Sequence, residues 1–134
     1  MSLRYKIIES KGLVYVVGAG VVTFSELMSH IEALSKDTRY KAPMKKLVDY
    51  RNITGKELET RELALYAQAK ATLKDVFREE KCAIVAPRDL DFGLSRVHGA
   101  LVEASGIETG VFRDLDQALS WLGVDIDDNA LEGL

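Results

Sequence analysis

The chain has 134 residues, 47% of them hydrophobic, and a formal net charge of −3. That length allows one domain with a substantial core and is short for two, and the charge balance lacks the clustered cation excess that nucleic-acid binding requires. No apolar run approaches the length of a bilayer span or follows a basic start, so neither a spanning helix nor a secretion signal is expected and a cytoplasmic location is.

Residues 3–10 and 13–18 read as two strands joined by the turn Ser10-Lys11-Gly12, an antiparallel hairpin. The second strand, Leu13 to Val17, is apolar at every position, so both of its faces should be covered. After Gly18-Ala19-Gly20, Thr23 and Glu26 have capping-box spacing and predict a helix whose apolar face is Phe24, Leu27, Met28, Ile31 and Leu34. A polar connection from Thr38 to Lys45 carries Pro43. Its lysines, with Lys46, form the densest basic group and read as a solvated loop.

The central strand is expected at Lys46 to Tyr50. Thr54 and Glu57 repeat the capping-box spacing, with Thr60 as an alternative start for a long second helix lined by Leu63, Tyr66, Ala69, Leu73, Val76 and Phe77. Cys82 to Ala86 reads as a buried strand stopped by Pro87, and its lone cysteine as a small hydrophobe. Asp89 or Asp91 can cap a third helix with the stripe Leu90, Leu94, Val97, Leu101 and Ala104, ended by Gly106. A strand at Glu108 to Phe112 follows. The last helix is capped by Asp114 with Gln117 and carries Leu115, Ala118, Leu119, Trp121 and Leu122, before an acidic tail expected to be loose. Strand-helix alternation after one leading strand predicts a mostly parallel sheet.

The carboxyl rim of such a sheet is where ligands and partners usually bind. Asp49, Arg51, Asn52 and Thr54 should emerge there, beside Arg88, Asp89, Phe92 and Arg96 of the next strand-helix junction. An Arg-Asp network tying the two loops together is the expected arrangement, with Phe92 either closing a pocket or joining the core. Thr54 reads as a helix cap, or as a phosphorylation site beside Arg51 or Arg88. His30 and His98 lack metal-ligand spacing and read as surface or boundary residues, so no metal site is expected. No nucleophile elbow or phosphate loop is present. Gly18-Ala19-Gly20-Val21-Val22-Thr23 looks like a degenerate dinucleotide fingerprint, with Asp49 at the next strand's end.

With this element order, three segments resemble the STAS domains, and more closely the small SpoIIAA-like proteins: Leu-Val-Asp-Tyr-Arg-Asn-Ile-Thr-Gly at 47–55, Ala-Pro-Arg-Asp-Leu-Asp-Phe-Gly-Leu-Ser-Arg at 86–96, and Val-Phe-Arg-Asp-Leu-Asp-Gln-Ala-Leu-Ser-Trp-Leu at 111–122. The resemblance implies an α/β fold, a right-handed β-α superhelix with a mixed, mostly parallel five-stranded sheet and about four helices. It covers residues 3–123 as one domain, with 124–134 as a tail. It also implies a serine or threonine phosphorylated after the central strand, for which Thr54-Gly55 is the nearest equivalent, and a distant likeness to CRAL-TRIO lipid-transfer domains. The leading expectation is therefore a non-catalytic regulatory or binding module, without a cofactor, that meets a protein partner or a small apolar or anionic ligand. A lipid carrier is the alternative, and a nucleotide-using enzyme ranks third. The sheet face that the helices leave bare would be covered by a second copy, the tail or a ligand.

Overall fold

Alternation of apolar residues from Leu3 onward produces the expected hairpin. In the computed structural model, which describes residues 2–134, β1 (Leu3–Ile8) pairs antiparallel with β2 (Leu13–Thr23). The 3-10 turn between them ends on Gly12, whose φ of 58° suits a residue without a side chain. Next come α1 (Phe24–Lys36), β3 (Lys45–Glu57), α2 (Thr60–Thr72), β4 (Lys81–Val85), α3 (Asp89–Val102), β5 (Glu108–Phe112) and α4 (Leu115–Leu122). The sheet order is β1-β2-β3-β4-β5, parallel from β2 onward. This is the mixed five-stranded sheet with four helices that the sequence predicts.

Period-two alternation divides the core into two. Val14, Val16, Val48, Cys82 and Ile84 face α1, α2 and α3. Leu13, Tyr15, Leu47, Ala83 and Val85 face α4. Residues 124–134, which composition alone leaves loose, fold back over this second core. Their turn Asp128–Leu131 buries Leu131, and the Lys6 ammonium donates to the Glu132 carbonyl at 2.6 Å.

Two strands run longer than the sequence predicts. β2 continues to Thr23, so Gly18-Ala19-Gly20 is not a turn at a helix start and the dinucleotide reading loses its geometry. A Cβ on Gly18 would lie 2.8 Å from Ile53 Cγ2 and 2.9 Å from Tyr50 Cδ1, so the glycine serves close strand packing. β3 continues to Glu57. Thr54 is therefore an exposed strand residue and not a helix cap; α2 takes the alternative start at Thr60, with Glu59 and Glu62 forming the capping box. Thr23 does cap α1, its hydroxyl accepting from the Glu26 N–H at 3.3 Å, while the Glu26 carboxylate accepts from the Ser2 N–H at 3.1 Å. Val17 pairs with Asp49 and Val21 with Gly55, so β3 carries two extra residues as bulges against β2.

The largest departure is α3, which packs the other way round. The predicted stripe faces outward, with Leu90 60%, Val97 50% and Leu101 47% exposed. The buried face is Asp91, Ser95, His98 and Val102. Replacing Leu101 with Lys should accordingly shift stability by less than about 0.5 kcal/mol. Val102→Ala, at a fully buried position, should cost about 1–3 kcal/mol. Urea unfolding of both variants measures the contrast, and a large loss in Leu101→Lys would contradict the inverted helix.

Candidate functional site

Residues 46, 48 and 50 share one face of β3, so the alternation that sends Val48 and Tyr50 toward α1–α3 also buries Lys46 there. On α2, Tyr66 and Lys70 lie one turn apart on the inward face; on α3, Ser95 and His98 do the same. α1 contributes His30, and the bulged end of β3 brings in Lys56. Together these side chains line a cavity of about 30 Å³ between the helices and the sheet, room for a few water molecules. Lys56 and Leu58 keep partial exposure and mark the side that meets solvent.

Inside, cations outnumber their partners. The Lys70 ammonium sits 3.2 Å from His98 Nε2, and the Lys56 ammonium donates to Ser95 Oγ at 3.4 Å while lying 4.2 Å from the Tyr50 ring centre. Lys46 has neither a hydrogen bond nor an ion pair from its ammonium among the described residues, although it is buried. The imidazole of His98 stacks on Tyr66, the ring centres 5.0 Å apart. Two buried carboxylates act on the cavity from outside its lining: Asp91 on Lys56 and Tyr50, with Arg88 Nε at 3.5 Å and neither oxygen hydrogen-bonded, and Glu80 on Tyr66 and Cys82, accepting from the Tyr40 hydroxyl at 2.6 Å.

Burial and the surrounding ammoniums keep both histidines neutral. His98 is held well below the usual imidazole range by burial and by Lys70, Lys56 and Lys46. His30 falls to about 2 through burial, Lys46 and Lys70. Burial also lowers Lys56 to about 8, against the pull of Asp91, and raises the Cys82 thiol to about 11. A neutral His98 that accepts from Lys70 at Nε2 carries its proton on Nδ1, and that atom is buried without a partner, as is His30 Nε2. The chamber thus gathers three lysine side chains beside two neutral histidines, which suits an anion.

The rim residues separate into three groups. Asp49, 2% exposed and in mid-strand, faces the second core. It accepts from Tyr15 Oη at 2.8 Å, from the Arg51 N–H at 3.0 Å and from the Arg51 guanidinium at 2.9 and 2.7 Å. Burial opposes ionisation of Asp49, but these bonds carry its pKa below the ordinary carboxylate range. Asn52 and Thr54 are exposed on β3. Arg88 reaches the Ile53 carbonyl at 3.2 Å and Asp91, not Asp49. Asp89 pairs with Arg113 at 2.6 Å, and Phe92 lies between Arg113, 4.2 Å from its ring centre, and Arg96, at 6.0 Å. The predicted network linking Asp49 to Arg88 does not form, because Arg51 folds back along its own strand and occupies both Asp49 oxygens.

Sequence reasoning missed the chamber. It read His30 and His98 as surface or boundary residues, whereas each is 7% exposed, and, although it began the central strand at Lys46, it grouped that lysine with a solvated basic cluster, whereas Lys46 is 3% exposed. The available signal was the spacing of Asp91, Ser95 and His98 along one helical face, opposite an equally regular apolar stripe. Among the described residues no cluster of His, Cys, Asp or Glu is placed to hold a metal, and no helix is long and apolar enough to cross a membrane.

Neither a protein-family model nor a curated protein matches the chain by sequence. Among solved structures it is similar to an uncharacterized DUF3478-family protein with a SpoIIAA-like fold from Shewanella loihica PV-4. The likeness covers 90% of this chain and 91% of that one at 17% identity, with a TM-score of 0.56. The chain therefore has a SpoIIAA-like α/β fold, the fold that the STAS resemblance implied.

The neutral histidines set a pH dependence. Unfolded, each takes up a proton as pH falls through about 6.5, whereas folded neither does until far lower. The unfolded state binds more protons in this window, so stability is full above about pH 6.5 and declines below it, by up to about 1.4 kcal/mol per pH unit per histidine. Denaturant melts between pH 7 and 5 should show this slope, and His98→Gln should flatten it; a pH-independent midpoint would exclude the neutral, buried pair.

Proposed function

We propose that this SpoIIAA-like chain is a non-catalytic binding module that takes a small anionic ligand into the chamber between α1–α3 and the sheet. The observation that carries this reading is the convergence of Lys46, Lys56 and Lys70 in an interior whose neighbouring carboxylates are engaged elsewhere, Asp91 with Arg88 and Glu80 with the Tyr40 hydroxyl. Buried charge without a counter-charge is costly, and a bound anion removes that cost. Lys46 and Lys70 supply the charge deep in the cavity, and His98 Nε2, 3.2 Å from the Lys70 ammonium, holds that group in place. The small volume favours a ligand of a few heavy atoms over an acyl chain, and the sheet face for which a second copy, the tail or a ligand stood open as cover is packed against α4 and residues 124–134. Arg88, which touches both Asp91 and the β3 backbone, couples the chamber to the rim that also carries Arg51, Asn52, Thr54, Asp89, Phe92 and Arg96.

Thermal-shift and calorimetric titration with acetate, propionate and inorganic phosphate tests the reading. At a ligand concentration near 100 times the dissociation constant, the expected stabilisation is about 2.7 kcal/mol. Lys46→Met should raise the stability of the free protein, because it removes an uncompensated buried charge, and should abolish the response to anions. A destabilised Lys46→Met protein would assign the lysine to structure instead.

A second reading concerns partners. Leu90, Leu94, Val97 and Leu101 follow the alternating four-three spacing of a helix-pairing seam on the outer face of α3, a pattern that two copies can bury against each other. Light scattering should then show a dimer that Val97→Lys converts to monomer without unfolding. A monomeric parent protein at micromolar concentration would remove this reading.

A further inference from the structure

The chamber holds more chemistry than anion binding uses. Two deep ammoniums suffice for a carboxylate, yet a third amine, Lys56, stands at the mouth with a hydroxyl beside it. Its ammonium lies 3.4 Å from Ser95 Oγ and 4.2 Å from the Tyr50 ring centre, and the charge acting on it is that of Asp91, whose oxygens have no hydrogen-bond partner. We propose that Lys56 captures the carbonyl group of a small oxo acid as a reversible imine while Lys46 and Lys70 hold the ligand's carboxylate. The inference rests on the anion-binding reading and adds the class of ligand: a short acid with an aldehyde or ketone next to or near its carboxylate.

The geometry separates the three lysines by role. Lys70 is committed to the neutral His98 ring, and Lys46 lies at the buried floor of the cavity. Lys56 alone combines contact with the cavity and partial access to solvent. Burial lowers its pKa to about 8, so a usable fraction of it is the neutral amine near pH 7. In the first step the Nζ lone pair attacks the carbonyl carbon; a C–N bond forms, and the carbonyl π pair moves to oxygen, which takes up a proton. Nitrogen then loses a proton to solvent at the mouth. The former carbonyl oxygen is protonated again and leaves as water, while the nitrogen lone pair closes the C=N bond. Amine, carbonyl and one proton give the protonated imine and water, with no change of oxidation state, and loss of the remaining N–H proton to solvent gives the neutral imine. Solvent at the mouth, where Lys56 is partly exposed, accepts and returns these protons, and Ser95 Oγ can hold the departing hydroxyl.

Reductive trapping tests this directly. The full chain is incubated with glyoxylate or pyruvate and cyanoborohydride near neutral pH, and the adduct is counted by intact mass and located by peptide mapping. One adduct per chain on Lys56 is expected, at least about tenfold faster than on any surface lysine, since each unit of lowered pKa raises the neutral fraction about tenfold. Lys70→Met should slow capture of glyoxylate more than capture of propanal, which has no carboxylate to hold. Labelling spread evenly over surface lysines, or confined to another residue, would overturn the proposal. Stabilisation by propionate with no adduct from either oxo acid would overturn it and leave the anion site standing. Absence of both responses would overturn the two together.

Discussion

A parallel ladder satisfies backbone donors and acceptors along its whole length, and the one between Leu13–Thr23 and Lys45–Glu57 runs well past Asp49, where β4 stops pairing. Its length depends on Gly18, which lets the two strands close over Ile53 and Tyr50. The two extra residues in β3 bend and twist the free part of the ladder. Through that bend Lys56, ten residues beyond Lys46 in sequence, comes back to the same cavity. Without the ladder Lys56 would belong to an exposed turn, and the chamber would lose its mouth.

The chamber also explains the inverted α3. A helix with an apolar stripe on one face and Asp91, Ser95 and His98 on another would ordinarily bury the first. Here the surface beneath it already holds Lys46, Lys56, Lys70 and the rings of Tyr50 and Tyr66, so the polar face finds partners there: Ser95 meets Lys56, and His98 meets both Lys70 and Tyr66. Turning the helix over would set leucines against ammoniums. The cost of the observed arrangement is an exposed apolar stripe and a carboxylate without hydrogen bonds, features that a fold keeps when they serve binding.

On the other side of the sheet the logic is reversed. The Asp49 carboxylate is buried like the lysines of the chamber, yet Arg51 and Tyr15 satisfy it completely. It fastens β3 to β2 and has no free valence for a ligand. The contrast between this saturated acid and the unsaturated ammoniums, within a few residues of one strand, separates structural from functional polar groups better than position on the rim does. The similar solved structure shares the fold at 17% identity, which carries the architecture across but not the chamber.

The order of elements, the mixed sheet and the two-sided burial of β2 and β4 were legible because they depend on local periodicity, which any window of the sequence displays. Helix starts at Thr23 and Asp114 were legible for the same reason, a cap and its target being three residues apart. The ends of β2 and β3 were not, since Thr54 and Glu57 satisfy the local rule for a cap and are overruled by pairing with residues more than thirty positions away. Nor could the sequence say which face of α3 is buried. Both faces are regular, and the choice belongs to what lies beneath: three lysines spread over twenty-five residues of β3 and α2, whose charges become a common environment only when the chain is folded.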